Sequence, residues 1–566
     1  MDAHRHAAHG RRERRAVSAA ATLPELLEQH ARTRGGHPAL RFLARGEAVT
    51  AEASYAGLAA ALAPLAGGLL REGLRGRPVV LALPPGLDFV VALLACLRAG
   101  AIAVPVPFPP TGEGHDRLRR VIADLGGDGA VLAAPQAALD PGGLRRLDPA
   151  TLQAVPDQPP PPQEAPAIIQ YSSGSTRAPA GLVISHAAML ANHRMIAEAF
   201  GMGPQSVAVN WLPPHHDMGL FGAILQPLFL GATAVLMPPM AFLQKPLRWL
   251  AAIAAHRGTV AGGPNFGYEL CLRRVSAEQM AGLDLSSLSV AFCGAEPVRA
   301  DSLRRFAAHA APAGFHPSSL LPCYGMAEAT LLVTGMPKGA GLREVTIGAS
   351  GRPQVSCGVP PGGGTVSIRD PETGAALPPG AAGEICIAGP HLASGLWRGA
   401  AGGIAPLPAL LQAEGRTWLR SGDVGALTEA GLVVLDRLKD MVTVHGRNVY
   451  AADAEAAAFE AAGLALAGAA AIGLPGPAGE RLVLLCELPL AGRRGIAAGP
   501  LRRRIAEQVG LRCGLLPEVV LLGAGALPRT TSGKIRHQAT RAAFLAGGLA
   551  PLAADETMED AAWASA

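Results

Sequence analysis

The chain has 566 residues, 49% hydrophobic and 16% charged, with a formal net charge of +5. That length suits several average domains or one large α/β unit with a satellite, and the apolar share supports a sizeable core. Much of the small positive charge sits in the opening MDAHRHAAHGRRERR, and no nucleic-acid-binding motif follows it. A nucleic-acid partner is therefore not expected. The apolar runs are too short or too broken by Arg and Pro for stable membrane insertion.

In chain order, residues 1–18 read as a disordered basic tail. PVVLALP (78–84) reads as a buried strand, GLDFVVALLACLRAGA (86–101) as a helix and AIAVPVPF (101–108) as a second strand. Together they form a βαβ unit, the building block of parallel sheets. DQPPPPQEAP (157–166) is a proline-rich connector. Further strands are expected at 167–171, 207–213, 231–237 and 288–294. These place a large multi-layer α/β domain with parallel-rich sheets over 19–436.

Past LDRLKDMVTV (435–444) the pattern restarts. A helix at 451–462, strands at 467–473 and 481–488, a helix at 500–509 and a strand at 518–522 predict a small α+β domain over 437–546. Residues 547–566 read as a disordered tail. The eight cysteines are scattered without a C-x-x-C pair. They read as reduced core thiols, hence a cytoplasmic protein.

Six stretches could carry chemistry. YSSGSTRAPAG (171–181) follows a strand and is rich in glycine and small hydroxyls. Such loops turn backbone N–H groups toward a phosphate, although a polar surface turn would have the same composition. NWLPPHHDMGL (210–220) suggests a metal at first sight. Adjacent side chains in extended backbone diverge, however, so a helix cap at Asp217 and a site role for one histidine fit better. FCGAEPVR (292–299) runs from a strand into a glycine turn. In CYGMAEAT (323–330), Tyr324 could stack on a planar ring and Glu328 could hold magnesium. In LRSGDVG (419–425), Asp423 could accept hydrogen bonds from ribose hydroxyls. DRLKDMVTVHGRN (436–448) carries Arg437 and Lys439 between the two units. Each alone could be an ordinary turn or cap.

The final stretch is PRTTSGKIRH (528–537). Of the 49 basic residues only four are lysine, and one of these, Lys534, stands in this glycine-flanked loop.

YSSGST, HHDMGL, GAEP, YGMAEAT, SGD, DRLKD and TTSGK occur in an order and spacing that resemble the acyl-adenylate-forming superfamily, from about residue 20 to 545. Longer stretches, among them WLPPHHDMGLFGAILQPLFLG, GGPNFGYELC and CYGMAEATLLVTG, resemble its fatty-acyl-AMP ligase branch. The resemblance implies ATP-dependent activation of a fatty acid to acyl-AMP, then transfer to the phosphopantetheine thiol of an acyl carrier protein. It implies ATP and Mg2+ as cofactors. Ser172, Ser173, Gly174, Ser175 and Thr176 would grip phosphates, with Thr176 and Glu328 near magnesium. Gly294, Ala295, Glu296, Tyr324, Gly325, Met326 and Ala327 would line the adenine site. Asp423 and Arg437 would hold the ribose, and His216 would sit near the fatty carboxylate. Lys439 would be the hinge, and Lys534 the mobile lysine serving both carboxylate and α-phosphate.

The resemblance also implies that the acyl pocket is lined from residues near 210–270. The segment 331–357 is shorter than the insertion usual in that branch, which leaves coenzyme A as an alternative acceptor.

Overall fold

The computed structural model describes residues 22–108, 113–133, 139–152, 159–171, 180–347, 353–399, 403–444, 447–476, 479–489, 497–529 and 534–552. Two eight-stranded sheets dominate the first 430 residues. In one, the strands Val290–Cys293, Val260–Gly263, Val207–Asn210 and Thr233–Leu236 run parallel through the centre, flanked by Leu320–Gly325 and Pro38–Phe42. In the other, Pro78–Leu81, Ile102–Pro105 and Ala130–Leu132 are parallel, and Pro166–Tyr171 pairs with Gly181–Ser185 in antiparallel fashion.

The central strands are buried along their whole length, as parallel strands covered by helices on both faces must be. Their β-branched and alanine-rich sequences follow from that position. The helix Leu87–Ala99 is apolar nearly all round for the same reason, and it ends at Gly100 in the left-handed conformation. These elements lie where the βαβ pattern places them.

Sequence periodicity does not announce two features. The first is a third, antiparallel sheet built from Thr365–Arg369, Gly383–Ala388, Leu410–Ala413, Arg416–Thr428 and Gly431–Arg437. The second is the eight-residue π-helix Met218–Leu225, which widens the chain just after His215, His216 and Asp217. Single-turn π-bulges are common at functional sites, and a run of this length is rarer still.

Beyond the Gly431–Arg437 strand the chain builds a separate small sheet, Gly468–Gly476, Gly479–Glu487 and Glu518–Leu522. Helices Ala451–Ala462 and Ala498–Cys513 cover one face, and their buried residues form a hydrophobic cluster drawn from 442–521. The helix His537–Leu545 lies against the other face. The ordered chain continues past 546. Leu549 packs on this sheet, and Leu552 N–H donates to the Leu521 carbonyl at 2.9 Å. Residues 553–566 lie outside the described residues.

The linker between the two bodies is tied to the last helix. Gln538 Nε2 donates to the Lys439 carbonyl at 3.2 Å. His537 Nε2 meets Glu455 Oε1 at 2.6 Å, with Asp440 4.0 Å from its other ring nitrogen. The Glu455, Asp440 and Asp436 carboxylates overcome burial and raise the His537 pKa to about 9. The histidine titrates at about 6.5 in an unfolded chain. Its raised folded value therefore contributes stability that is full below pH ~6.5 and is lost as pH rises through about 9. His537→Gln should lower the unfolding midpoint on the order of 4 °C at pH 6 and leave it unchanged at pH 10. Thermal melts at the two pH values check this; an equal loss at both would remove the ionic role.

Candidate active site

A cleft of about 930 Å³ runs between the large body and the small sheet. Strand ends and turns of both bodies line it, the usual location for ligands in open α/β sheets.

One wall is built on Asp423. Residues 421–423 lie within the long Arg416–Thr428 strand, with Gly422 at φ 73°, where a side chain would be strained. Gly422 N–H donates to Glu384 Oε1 at 3.1 Å, and Asp423 N–H to Ser421 Oγ at 3.0 Å. This fixes Asp423, a residue only 8% exposed. Its Oδ2 accepts from the Tyr324 hydroxyl at 2.7 Å, and its Oδ1 lies 3.2 Å from Arg437 Nε. Arg437 is the register partner of Asp423 on the adjacent strand, so sheet geometry itself brings the pair together. A carboxylate has about four acceptor positions, so capacity is left for two ligand hydroxyls. Burial and the Asp423 charge keep the Tyr324 hydroxyl protonated.

Tyr324 opens the turn 324–330. Gly325 is obligatory here, because a Cβ would stand 1.8 Å from the Leu331 carbonyl oxygen. The turn closes on Thr330 at φ 64°, ψ −62°, an outlier for a β-branched residue. Thr330 is held there by its hydroxyl, which donates to the His391 carbonyl at 2.7 Å. Glu328 stands in the middle, its carbonyl accepting from Ala393 N–H at 2.8 Å. Burial raises its carboxyl pKa, and Asp217 and Asp423 add to the rise. A buried carboxyl facing two other carboxylates is a fitting place for a cation. Among the described residues no three His, Cys, Asp or Glu side chains converge on a metal site. Magnesium in phosphoryl sites commonly takes one or two carboxylates and draws its other ligands from phosphate and water.

On the facing side, Gly294 and Ala295 end the Val290–Cys293 strand, with Ala295 at φ 68°. Glu296 follows and accepts from Phe266 N–H at 2.6 Å. Burial raises its pKa, while Arg299 and Lys534 pull it back.

His216, Asp217 and Met218 reach the cleft at the mouth of the π-helix. Asp217 caps it, accepting from Met218 N–H at 2.7 Å. The two histidine rings lie 4.9 Å apart and inclined at 42°. Gln170, whose signal was a polar residue in an otherwise apolar strand, holds this corner. Its amide donates to the His215 carbonyl at 2.6 Å.

Lys534 enters from the small body. Burial lowers its pKa, Asp217, Glu296 and Asp423 draw it back up, and Arg437 opposes them. The structure thus gathers Lys534, His216, Glu328, Glu296, Tyr324, Asp423 and Arg437 around one space. Met326 and Ala327 line the same space, and exposed Lys439 stands at its rim in the linker. Ser172, Ser173, Gly174, Ser175, Thr176 and Gly533 lie outside the described residues. The strands on either side of that first stretch pair at Tyr171 and Gly181.

The apolar arm of the cleft departs from the sequence expectation of 210–270. From that range it takes Met218, Gly222, Val260 and Phe266. It also takes Ile196, Phe200 and Met202 from the helix His186–Ala199 and the turn after it, and Phe292 and Leu332 from the sheet. Most of FGAILQPLFLG packs into the core instead. Apolar character alone does not separate pocket from core.

Residues 27–397 match the protein family described as AMP-binding enzyme. The chain is 33% identical to the medium-chain-fatty-acid–[acyl-carrier-protein] ligase JamA of Moorena producens, over 93% of this chain and 96% of that one. It is also 33% identical to the long-chain-fatty-acid–AMP ligase FadD26 of Mycobacterium marinum, over 92% and 96%. Among solved structures, it is similar to the fatty acyl-adenylate ligase of L. pneumophila in complex with acyl adenylate and pyrophosphate. That match has a TM-score of 0.71 and 31% identity, covering 94% of this chain and 97% of that one.

Proposed function

We propose a residue-level course for the reaction of this chain, which belongs to the AMP-binding enzyme family and, within it, to the fatty-acyl-AMP ligases. The enzyme joins a fatty acid to AMP at the expense of ATP. The observation that carries the residue assignments is the convergence of Lys534 with Asp423, Arg437, Glu328 and His216 on one cleft that has an apolar arm.

The fatty chain lies in the apolar arm, its carboxylate near His216. The adenine lies between the 294–296 turn and Tyr324, Gly325, Met326 and Ala327. The ribose hydroxyls donate to Asp423, which Tyr324 and Arg437 hold in place. The loop Ser172–Thr176 takes the β- and γ-phosphates.

The carboxylate attacks the α-phosphorus, forming the acyl C–O–P linkage as the bond to pyrophosphate breaks. Negative charge grows on the phosphoryl oxygens, and the Lys534 ammonium lies against it while drawing the carboxylate in. Magnesium, held by Glu328 and Thr176, would neutralise the departing pyrophosphate. The small body covering the cleft would shield the labile mixed anhydride from water.

The small body, with its boundary near 437, then turns about Lys439 and withdraws Lys534. A phosphopantetheine thiol of an acyl carrier protein enters and displaces AMP. Coenzyme A is the second reading for this thiol, favoured by the 27 residues between Thr330 and Gly358. A cytoplasmic location fits the free cysteines, seven of the eight buried. No described helix is long and apolar enough to cross a membrane.

The test is ATP–pyrophosphate exchange with dodecanoic acid and magnesium. Exchange that requires the acid supports the reading, and exchange that ignores the acid overturns it.

A further inference from the structure

The small body brings Lys534 to the cleft in the orientation of this structure, and two arginines of the large body contact it there. Arg299 lies three residues beyond Glu296, at the end of the turn that lines the adenine side of the cleft. Its backbone N–H donates to the side chain of fully buried Asn265 at 3.1 Å. Its guanidinium carbon stands 4.1 Å from the centre of the Phe459 ring, in the last turn of the small body's helix Ala451–Ala462. Arg273, in the last turn of the helix Asn265–Arg274, donates to the Leu466 carbonyl at 2.8 Å, just past the end of the same small-body helix. Near that helix's start, Gln354 Nε2 lies 3.4 Å from Asp453 Oδ1. Both arginine contacts cross between bodies. Arg299 also lines the cleft beside Glu296, while Phe459 and Leu466 belong to the packed side of the small body.

We propose that Arg273 and Arg299 are positioning residues that latch Phe459 and Leu466 and so hold Lys534 in the adenylating orientation. The inference rests on the reading above that Lys534 serves adenylation and leaves before thiol transfer. Arg299 grows from the adenine-side turn, so the latch is anchored on the nucleotide site and not on a remote surface. Its strength suits a device that must also open. A cation–π contact with partial desolvation is worth about 1–2 kcal/mol, enough to bias an orientation and weak enough to release within a catalytic cycle.

The two half-reactions separate this role from a general structural one. Adenylation needs the latched pose, whereas thiol transfer needs the small body turned away. The full-length protein and the variants Phe459→Ala, Arg299→Ala and Arg299→Lys would be compared in two assays. One is ATP–pyrophosphate exchange with dodecanoic acid; the other is transfer from supplied dodecanoyl-AMP to pantetheine.

Phe459→Ala and Arg299→Ala should each slow exchange about 5- to 30-fold and change transfer less than about 2-fold. Arg299→Lys should recover part of the exchange rate. Undiminished exchange in both alanine variants overturns the latch, as does an equal loss in both half-reactions. If Phe459→Ala loses its fold, the variants at partly buried Arg299 carry the same test. Failure of the wild-type protein to exchange at all would strike the underlying functional reading and not the latch.

Discussion

Lys534→Ala should lower acyl-adenylate formation about 10²- to 10³-fold while leaving ATP affinity within a few-fold of wild type. The reason is the difference between ground and transition states. In the proposed site Asp423 would hold the ATP ribose and Ser172 to Thr176 its phosphates, so removing one ammonium should hardly loosen it. The charge that appears on the phosphoryl oxygens as the carboxylate closes in is what the Lys534 ammonium would meet. Arg437 is committed to Asp423 at 3.2 Å.

Lys534→Arg should not restore the rate. A planar fork places its charge differently from a compact ammonium, and the approach lies between Asp217, Glu296 and Asp423. Thiol transfer from supplied acyl-AMP should persist in Lys534→Ala. Pyrophosphate exchange and calorimetric titration with ATP check the two halves. Full exchange activity would remove Lys534 from the chemistry, and a parallel loss of ATP binding would make it a binding residue.

Asp423→Ala should weaken ATP binding by about 10²-fold, roughly 3 kcal/mol. Two effects add. The ribose loses an ionised acceptor, and hydrogen bonds to charged groups contribute about 1.5–3 kcal/mol each. The Tyr324 hydroxyl and the Arg437 guanidinium also lose their common partner. The Tyr324 ring and the register partner across the strand pair are then freed together, so this change and Tyr324→Phe should be non-additive. Asp423→Asn keeps the shape but not the charge, and should fall between. Titration with a non-hydrolysable ATP analogue measures all of these. Unchanged affinity in Asp423→Ala would place the ribose elsewhere.

Much of this was legible in the chain because the motifs sit at strand ends. Strands such as Val290–Cys293 are fully buried and therefore write continuous apolar runs, and the turn that follows each run is where the chemistry stands. Glu296 and Tyr324 could thus be named as strand-end candidates before any coordinate, and both line the cleft; Asp423 lines it too, but from inside the Arg416–Thr428 strand. The small unit's helix at 451–462 and strand at 518–522 could also be read from the pattern alone.

What stayed hidden has physical causes. The apolar arm draws on Ile196 and Phe200, and neither differs in kind from its buried neighbours. Gln170, Arg273 and Arg299 act through partners 45, 193 and 160 residues away, and no local periodicity encodes such pairs. The arginines are camouflaged further by a chain that uses arginine almost everywhere it needs a cation. The π-helix at Met218–Leu225 shares its apolar composition with an ordinary buried helix.

In the proposed reaction the acyl group passes from acid to AMP to a carrier thiol. The direct measurement offers the purified protein dodecanoic acid, ATP and magnesium with two acceptors in separate reactions, coenzyme A and a phosphopantetheinylated carrier protein, and follows every product by mass. Acyl-AMP and an acylated carrier are the expected products, with little acyl-coenzyme A. Efficient acyl-coenzyme A formation with an unmodified carrier would contradict it.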